Sequence, residues 1–117
     1  MTAFRLISLP VHGALELLFG VAVMVAPFAL GFGDAGIVCG VVLGALIAGT
    51  AFSTAPGDRG GVPVTAHFAA DRGLVIALLA AAIVLASIPD RAAGLFFALI
   101  ALAQLALSLT TRYTARA

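Results

Sequence analysis

Lysine and tryptophan do not occur in this chain, cysteine occurs once, and only 9% of the residues are charged. A water-soluble domain carries about 25% charged residues, so a soluble globule of this composition would have almost nothing with which to cover its surface. The single cysteine, Cys39, excludes an intrachain disulfide, a CxxC redox pair and a cysteine-rich zinc or iron–sulfur site. Thiol–disulfide oxidoreductases go with them. Its neighbours in "GIVCGVVLG" are small and apolar, as around a packed, inert thiol. Six scattered arginines against five acidic residues leave a net charge of +1, too little for a nucleic-acid or polybasic lipid-binding surface. No nucleophile–base pair, no GxxxxGK[ST] and no HExxH is found, and no enzyme is expected. Gly31, Gly33 and Gly36 do spell GxGxxG, but a turn with no preceding strand makes that match coincidental.

What is present is hydrocarbon. Of 117 residues 63% are hydrophobic, and the mean hydropathy is +1.24. Four apolar runs, at 10–32, 36–52, 65–88 and 92–110, are bounded by Gly, Pro, Asp or Arg. Each is near the ~20 residues that cross a bilayer core. Backbone groups in hydrocarbon must be satisfied within their own segment, so each run is expected to be a helix. The links "GFGDAG" and "IPDRA" are short and force antiparallel neighbours, whereas "STAPGDRGGVP" at 53–63 is longer. The expected fold is all-α, an integral membrane four-helix bundle running up-down-up-down, as a single four-span domain over residues 1–117. Arg5 ahead of the first run imitates a secretory signal. Glu16 interrupts the run, which also exceeds the about 7–15 residues of a signal core, so a retained first span is expected.

Arg5, Arg59, Arg112 and Arg116 lie outside the spans on one side, with Arg72 two turns into the third, while the other side has Arg91. By the positive-inside rule both termini and the middle link face the cytoplasm. Without tryptophan, the interfacial levels fall to Phe28 and Phe32 on one side and to Phe4, Phe52, Phe68 and Tyr113 on the other.

The two halves, about 10–54 and about 65–111, repeat one pattern. Each opens with His-x-x-x-acid ("HGALE", "HFAAD") and continues with an apolar helix, an acidic turn (Asp34, Asp90), a second helix and a Ser/Thr-rich end ("AFST", "SLTT"). Two spans per unit keep both copies in one orientation, about an axis along the membrane normal. His12 and Glu16 should then share a depth with His67 and Asp71.

The first half resembles the SPW-repeat family of small bacterial membrane proteins. It does so through Gly20 in the first helix, Ala26-Pro27-Phe28, the exit Leu30-Gly31-Phe32, and Gly40 and Gly44 in the second helix. Ala26 and Phe28 stand where that family has Ser and Trp, and the second half carries "LASIPD" where the proline–aromatic motif falls. The resemblance implies a multi-pass protein of the bacterial cytoplasmic membrane built from two-helix repeats, and it implies no activity.

On a helix residues i and i+4 share a face, so His12 pairs with Glu16 and His67 with Asp71. Charged groups inside a span normally face the bundle interior and pair, which makes His12, Glu16, His67, Asp71 and Arg72 one candidate polar cluster. Its expected role is structural, with Arg72 neutralising one carboxylate and the histidines bonding the other. The alternatives are a divalent transition metal held by His12, Glu16, His67 and Asp71, a proton relay or small polar ligand, and, last, bis-histidine haem. No resident cofactor or metal is expected. Gly36, Gly40, Gly44 and Ala48 form a small-residue ridge that packs either within the chain or against a second copy or a larger membrane partner. Pro27 should kink or end the first helix, and Gln104 should hydrogen-bond a neighbouring helix. The expected function is thus that of a small non-enzymatic membrane protein, an accessory or assembly component acting through helix–helix contacts. A ligand-, metal- or proton-handling site is the competing class. The expected partners are the lipid bilayer and another membrane protein or copy, not nucleic acid.

Overall fold

A computed structural model describes residues 6–52 and 64–111. Arg5, Arg59, Arg112, Arg116, Phe4, Tyr113 and the middle link at 53–63 lie outside the described residues. Four helices follow in order: α1 (Leu9–Ala29), α2 (Asp34–Phe52), α3 (Val64–Ser87) and α4 (Arg91–Thr110). At about 1.5 Å per residue each is roughly as long as a bilayer core is thick, and all four are apolar enough to cross a membrane.

The helices are apolar on every face. Val21, Val25, Ile76, Ile83 and Leu99 point outward with half or more of their surface exposed. The buried positions recur every three or four residues, as in Val23–Pro27 of α1 and Leu74–Leu78–Ala82–Leu85 of α3. In water such a surface would aggregate; in lipid it is the solvated face, and the fold is a four-helix membrane bundle.

Local chemistry sets the helix ends. Ser8 caps α1, with Pro10 in the first turn where its missing N–H is no loss. Pro27 lies inside α1 and the helix stops at Ala29, short of the run to residue 32. Gly31 then takes φ 71°, the left-handed conformation in which glycine carries no side-chain penalty. Phe32 accordingly turns inward, 7% exposed and edge-on to Phe96 at 5.5 Å between ring centroids, rather than facing the interface.

Asp90 accepts from Ala93 N–H with one oxygen, capping α4, and from Gly33 N–H with the other, each at 3.3 Å. The α1–α2 and α3–α4 turns therefore meet at one end of the bundle. At the opposite end Ile7 N–H donates to the Thr110 carbonyl at 3.0 Å. Packing is closest within the hairpins α1–α2 and α3–α4, and α2–α3 and α1–α4 complete the ring. This leaves α1 and α3 diagonal to each other, so their inward side chains meet on the bundle axis.

The small-residue ridge of α2 is spent inside the chain. A Cβ on Gly44 would lie 2.7 Å from the Gly20 carbonyl oxygen and 2.8 Å from Met24 N, and one on Gly20 would lie 2.8 Å from the Gly44 carbonyl oxygen. These two backbones touch. Gly40 receives Pro27 and the Val23 carbonyl, the one that Pro27 leaves without its helical donor, and Gly36 lies against Phe32 and Ala93. Half-buried Cys39 packs beside this core.

Candidate polar centre

His12 and Glu16 project from one face of α1, about one and two turns from its start, and His67 and Asp71 do the same on α3. Because α1 and α3 run in the same direction, the two pairs arrive at one depth, toward the end opposite the Gly33–Asp90 contact. All four side chains are 0–2% exposed. The sequence pattern placed them on two helices, with the pairs expected to meet if both faces turned inward; the diagonal packing brings them together.

Their inner atoms form a closed ring in which nitrogen and oxygen alternate. His12 Nε2 lies 2.8 Å from Asp71 Oδ2 and 3.4 Å from Glu16 Oε1. His67 Nε2 lies 3.2 Å from each of the same two oxygens. The imidazole rings meet edge to face, 5.4 Å between centroids. The two cross-helix approaches, His12 to Asp71 and His67 to Glu16, are no longer than those within a helix, so the four residues are one unit and not two local pairs.

A shell of neutral side chains orients this ring. The Thr111 hydroxyl donates to the Leu107 carbonyl at 2.6 Å, and its oxygen lies 2.6 Å from His12 Nδ1. With its own proton committed, Thr111 acts as acceptor, so His12 carries a proton on Nδ1 and turns Nε2 toward the carboxylates. Gln104 Nε2 donates to Glu16 Oε2 at 2.9 Å. Gln104 Oε1 is buried with no hydrogen-bond partner among the described residues. The amide still keeps this orientation, because a bond to a carboxylate is worth more than a bond to a neutral acceptor. Thr50 Oγ1 lies 3.4 Å from Glu16 Oε1 and donates to the Ile47 carbonyl at 2.7 Å.

Arg72 is on the next residue of α3, half-buried. Its Nε donates to Ser108 Oγ at 2.7 Å, and its guanidinium lies 4.7 Å over the Phe68 ring. Gln104 bonds a neighbouring helix, as its sequence position suggests, although its partner Glu16 is legible only in three dimensions. Thr111 and Thr50 carry no sequence signal beyond the Ser/Thr content of the helix ends. The ridge residues Gly36, Gly40, Gly44 and Ala48 stand apart from this centre. No family model, curated protein or solved structure matches the chain.

Proposed function

We propose that this chain is a non-enzymatic multi-pass protein of the bacterial cytoplasmic membrane that works by holding positive charge within the quartet His12, Glu16, His67 and Asp71. The observation that carries the reading is the closed ring of two imidazole nitrogens and two carboxylate oxygens, with sides of 2.8–3.4 Å. Two ionised carboxylates among apolar helices would cost several kcal/mol each if uncompensated. Two neutral imidazoles compensate neither, so the quartet calls for positive charge, from protons or a metal ion on its own atoms beside that of the neighbouring Arg72.

The accessory or assembly role expected from the glycine ridge needs another surface, since α1, Phe32 and Ala93 of α4 fill the ridge. A second copy or larger membrane partner would have to dock on outward positions such as Val38, Val42 and Leu46. Nothing on those positions sets them apart from the rest of the lipid-facing surface, so the polar centre is the better-supported reading.

Replacing all four residues by leucine is expected to leave a folded bundle, since a buried ionic network can be exchanged for apolar packing at little cost, while the phenotype of gene loss goes uncomplemented. Full complementation would reduce the quartet to packing and overturn the proposal. The arginine bias supports cytoplasmic termini. Reporters fused at residue 58 and after residue 117 should signal from the cytoplasm, and one inserted near Asp34 from outside. An external signal at residue 58 would reverse the orientation.

A further inference from the structure

Resting on the charge-holding reading above, we propose that the quartet is a site for one divalent first-row transition metal ion, coordinated by His12 Nε2, Glu16 Oε1, His67 Nε2 and Asp71 Oδ2. These donor atoms all lie within 4.8 Å of one another. A tetrahedral ion with bonds of about 2.0–2.2 Å holds its donors about 3.3–3.6 Å apart. The four sides of the ring, at 3.4, 3.2, 3.2 and 2.8 Å, are at or below such an edge, while the full spread of up to 4.8 Å across the ring makes it flatter than a tetrahedron, so an ion at the centre would open the sides and draw the diagonals in.

The orientation of the rings is the second argument. With its proton on Nδ1, engaged by Thr111, a neutral His12 presents the lone pair of Nε2 to two carboxylate oxygens, and lone pairs facing each other repel. An ion at the centre converts that repulsion into four bonds. A metal-ligating histidine characteristically donates its other N–H to a protein acceptor, which fixes tautomer and ring plane; Thr111 Oγ1 is such an acceptor at 2.6 Å. Glu16 is held in the same way, with Oε2 occupied by Gln104 and Oε1 left to the ring. His67 Nε2 stands 3.2 Å from both oxygens. A single N–H has one axis and favours one acceptor, whereas a lone pair aimed between two oxygens suits a central ion.

Donor chemistry narrows the ion. Imidazole disfavours magnesium and calcium, which take oxygen ligands, and without a thiolate in the set copper(I) is not selected either. Two carboxylates and two neutral imidazoles sum to −2, so a divalent ion leaves the centre neutral, the state that a low-dielectric interior favours. Zinc has no geometric preference from its d-electrons and accepts such a tetrahedral N/O set. Thr111 and Gln104 are positioning residues for this site.

The test titrates the full chain, purified in detergent and stripped with chelator, with Zn2+ by calorimetry and with Co2+ by visible absorption. One ion per chain is expected, with the intense absorption of four-coordinate Co2+. His67→Leu should weaken Zn2+ binding at least 100-fold. Thr111→Val, which keeps side-chain shape and all four ligands, should weaken it by about 10–100-fold and leave the metal-free protein folded. No uptake of either ion at millimolar concentration would overturn the proposal, as would binding that survives unchanged in the four-leucine variant. If metal fails to bind while the four-leucine variant still fails to complement, the centre holds protons and only the metal falls. If metal binds and that variant complements fully, the site stands and the functional reading falls.

Discussion

Gly44→Ile is expected to disrupt the monomer itself. The Cβ position on Gly44 is 2.7 Å from one backbone atom of α1 and 2.8 Å from another, and a backbone inside a helix cannot retreat as a flexible side chain can. Overpacking a well-filled interior costs about 1–3 kcal/mol where side chains can adjust, so a larger loss is expected here, against a domain stability of about 5–15 kcal/mol. The two helices can relieve the contact only by separating, and lipid does not replace the packing they lose. Denaturant unfolding in detergent should show a strongly lowered midpoint. Gly49→Ile is the control: a Cβ there meets nothing within 4 Å, and the variant should unfold like the parent. Loss of crosslinked oligomers from a Gly44→Ile monomer of unchanged stability would show that the ridge faces a partner instead.

Removing one charge from the quartet should be worse than removing all of them. Glu16→Gln leaves Asp71 as the single carboxylate of a buried centre whose other members are arranged around two. Breaking a buried ionic set at one member typically costs about 3–5 kcal/mol. The four-leucine variant should unfold much closer to the parent. A double-mutant cycle locates the coupling: His12→Leu and Asp71→Asn act on the shortest side of the ring, 2.8 Å between α1 and α3, and should be non-additive by about 0.5–3 kcal/mol. Additive losses would mean that each histidine serves only the carboxylate on its own helix, and the shared centre would be gone.

These two experiments probe parts of the molecule that were legible to different degrees. The helices were readable because a bilayer leaves the backbone few options: twenty apolar residues between Gly, Pro, Asp and Arg must close their hydrogen bonds internally. Boundaries were readable where a residue acts locally, as Asp90 does in capping α4. They were less so at Pro27, whose effect the sequence left open between a kink and a stop, and where the helix in fact ends two residues later. Phe32 shows the limit of reasoning from depth, since its level suits an interface while the tight Gly31 turn rotates it into the core.

The sequence by itself determined that four helices form, that α1 and α3 each carry a histidine one turn from a carboxylate, and that α2 carries a small-residue ridge. Composition, periodicity and capping act within about a helical turn or along one segment, so they can be read without knowing what packs against what. Only the tertiary structure decided that the ridge packs within the chain, Gly40 and Gly44 against α1 and Gly36 against Phe32 and Ala93, because a stripe of glycines is equally open to any helix until one occupies it. It also decided that α1 and α3, already parallel by the up-down-up-down order of the spans, stand diagonally. That arrangement turns two separate i,i+4 pairs into one ring on the bundle axis and recruits Gln104 and Thr111, 88 and 99 residues away from their partners, to hold it. Contacts between residues so far apart are set by how the helices dock, and along helices so largely apolar most positions carry no local mark of the neighbour they will meet.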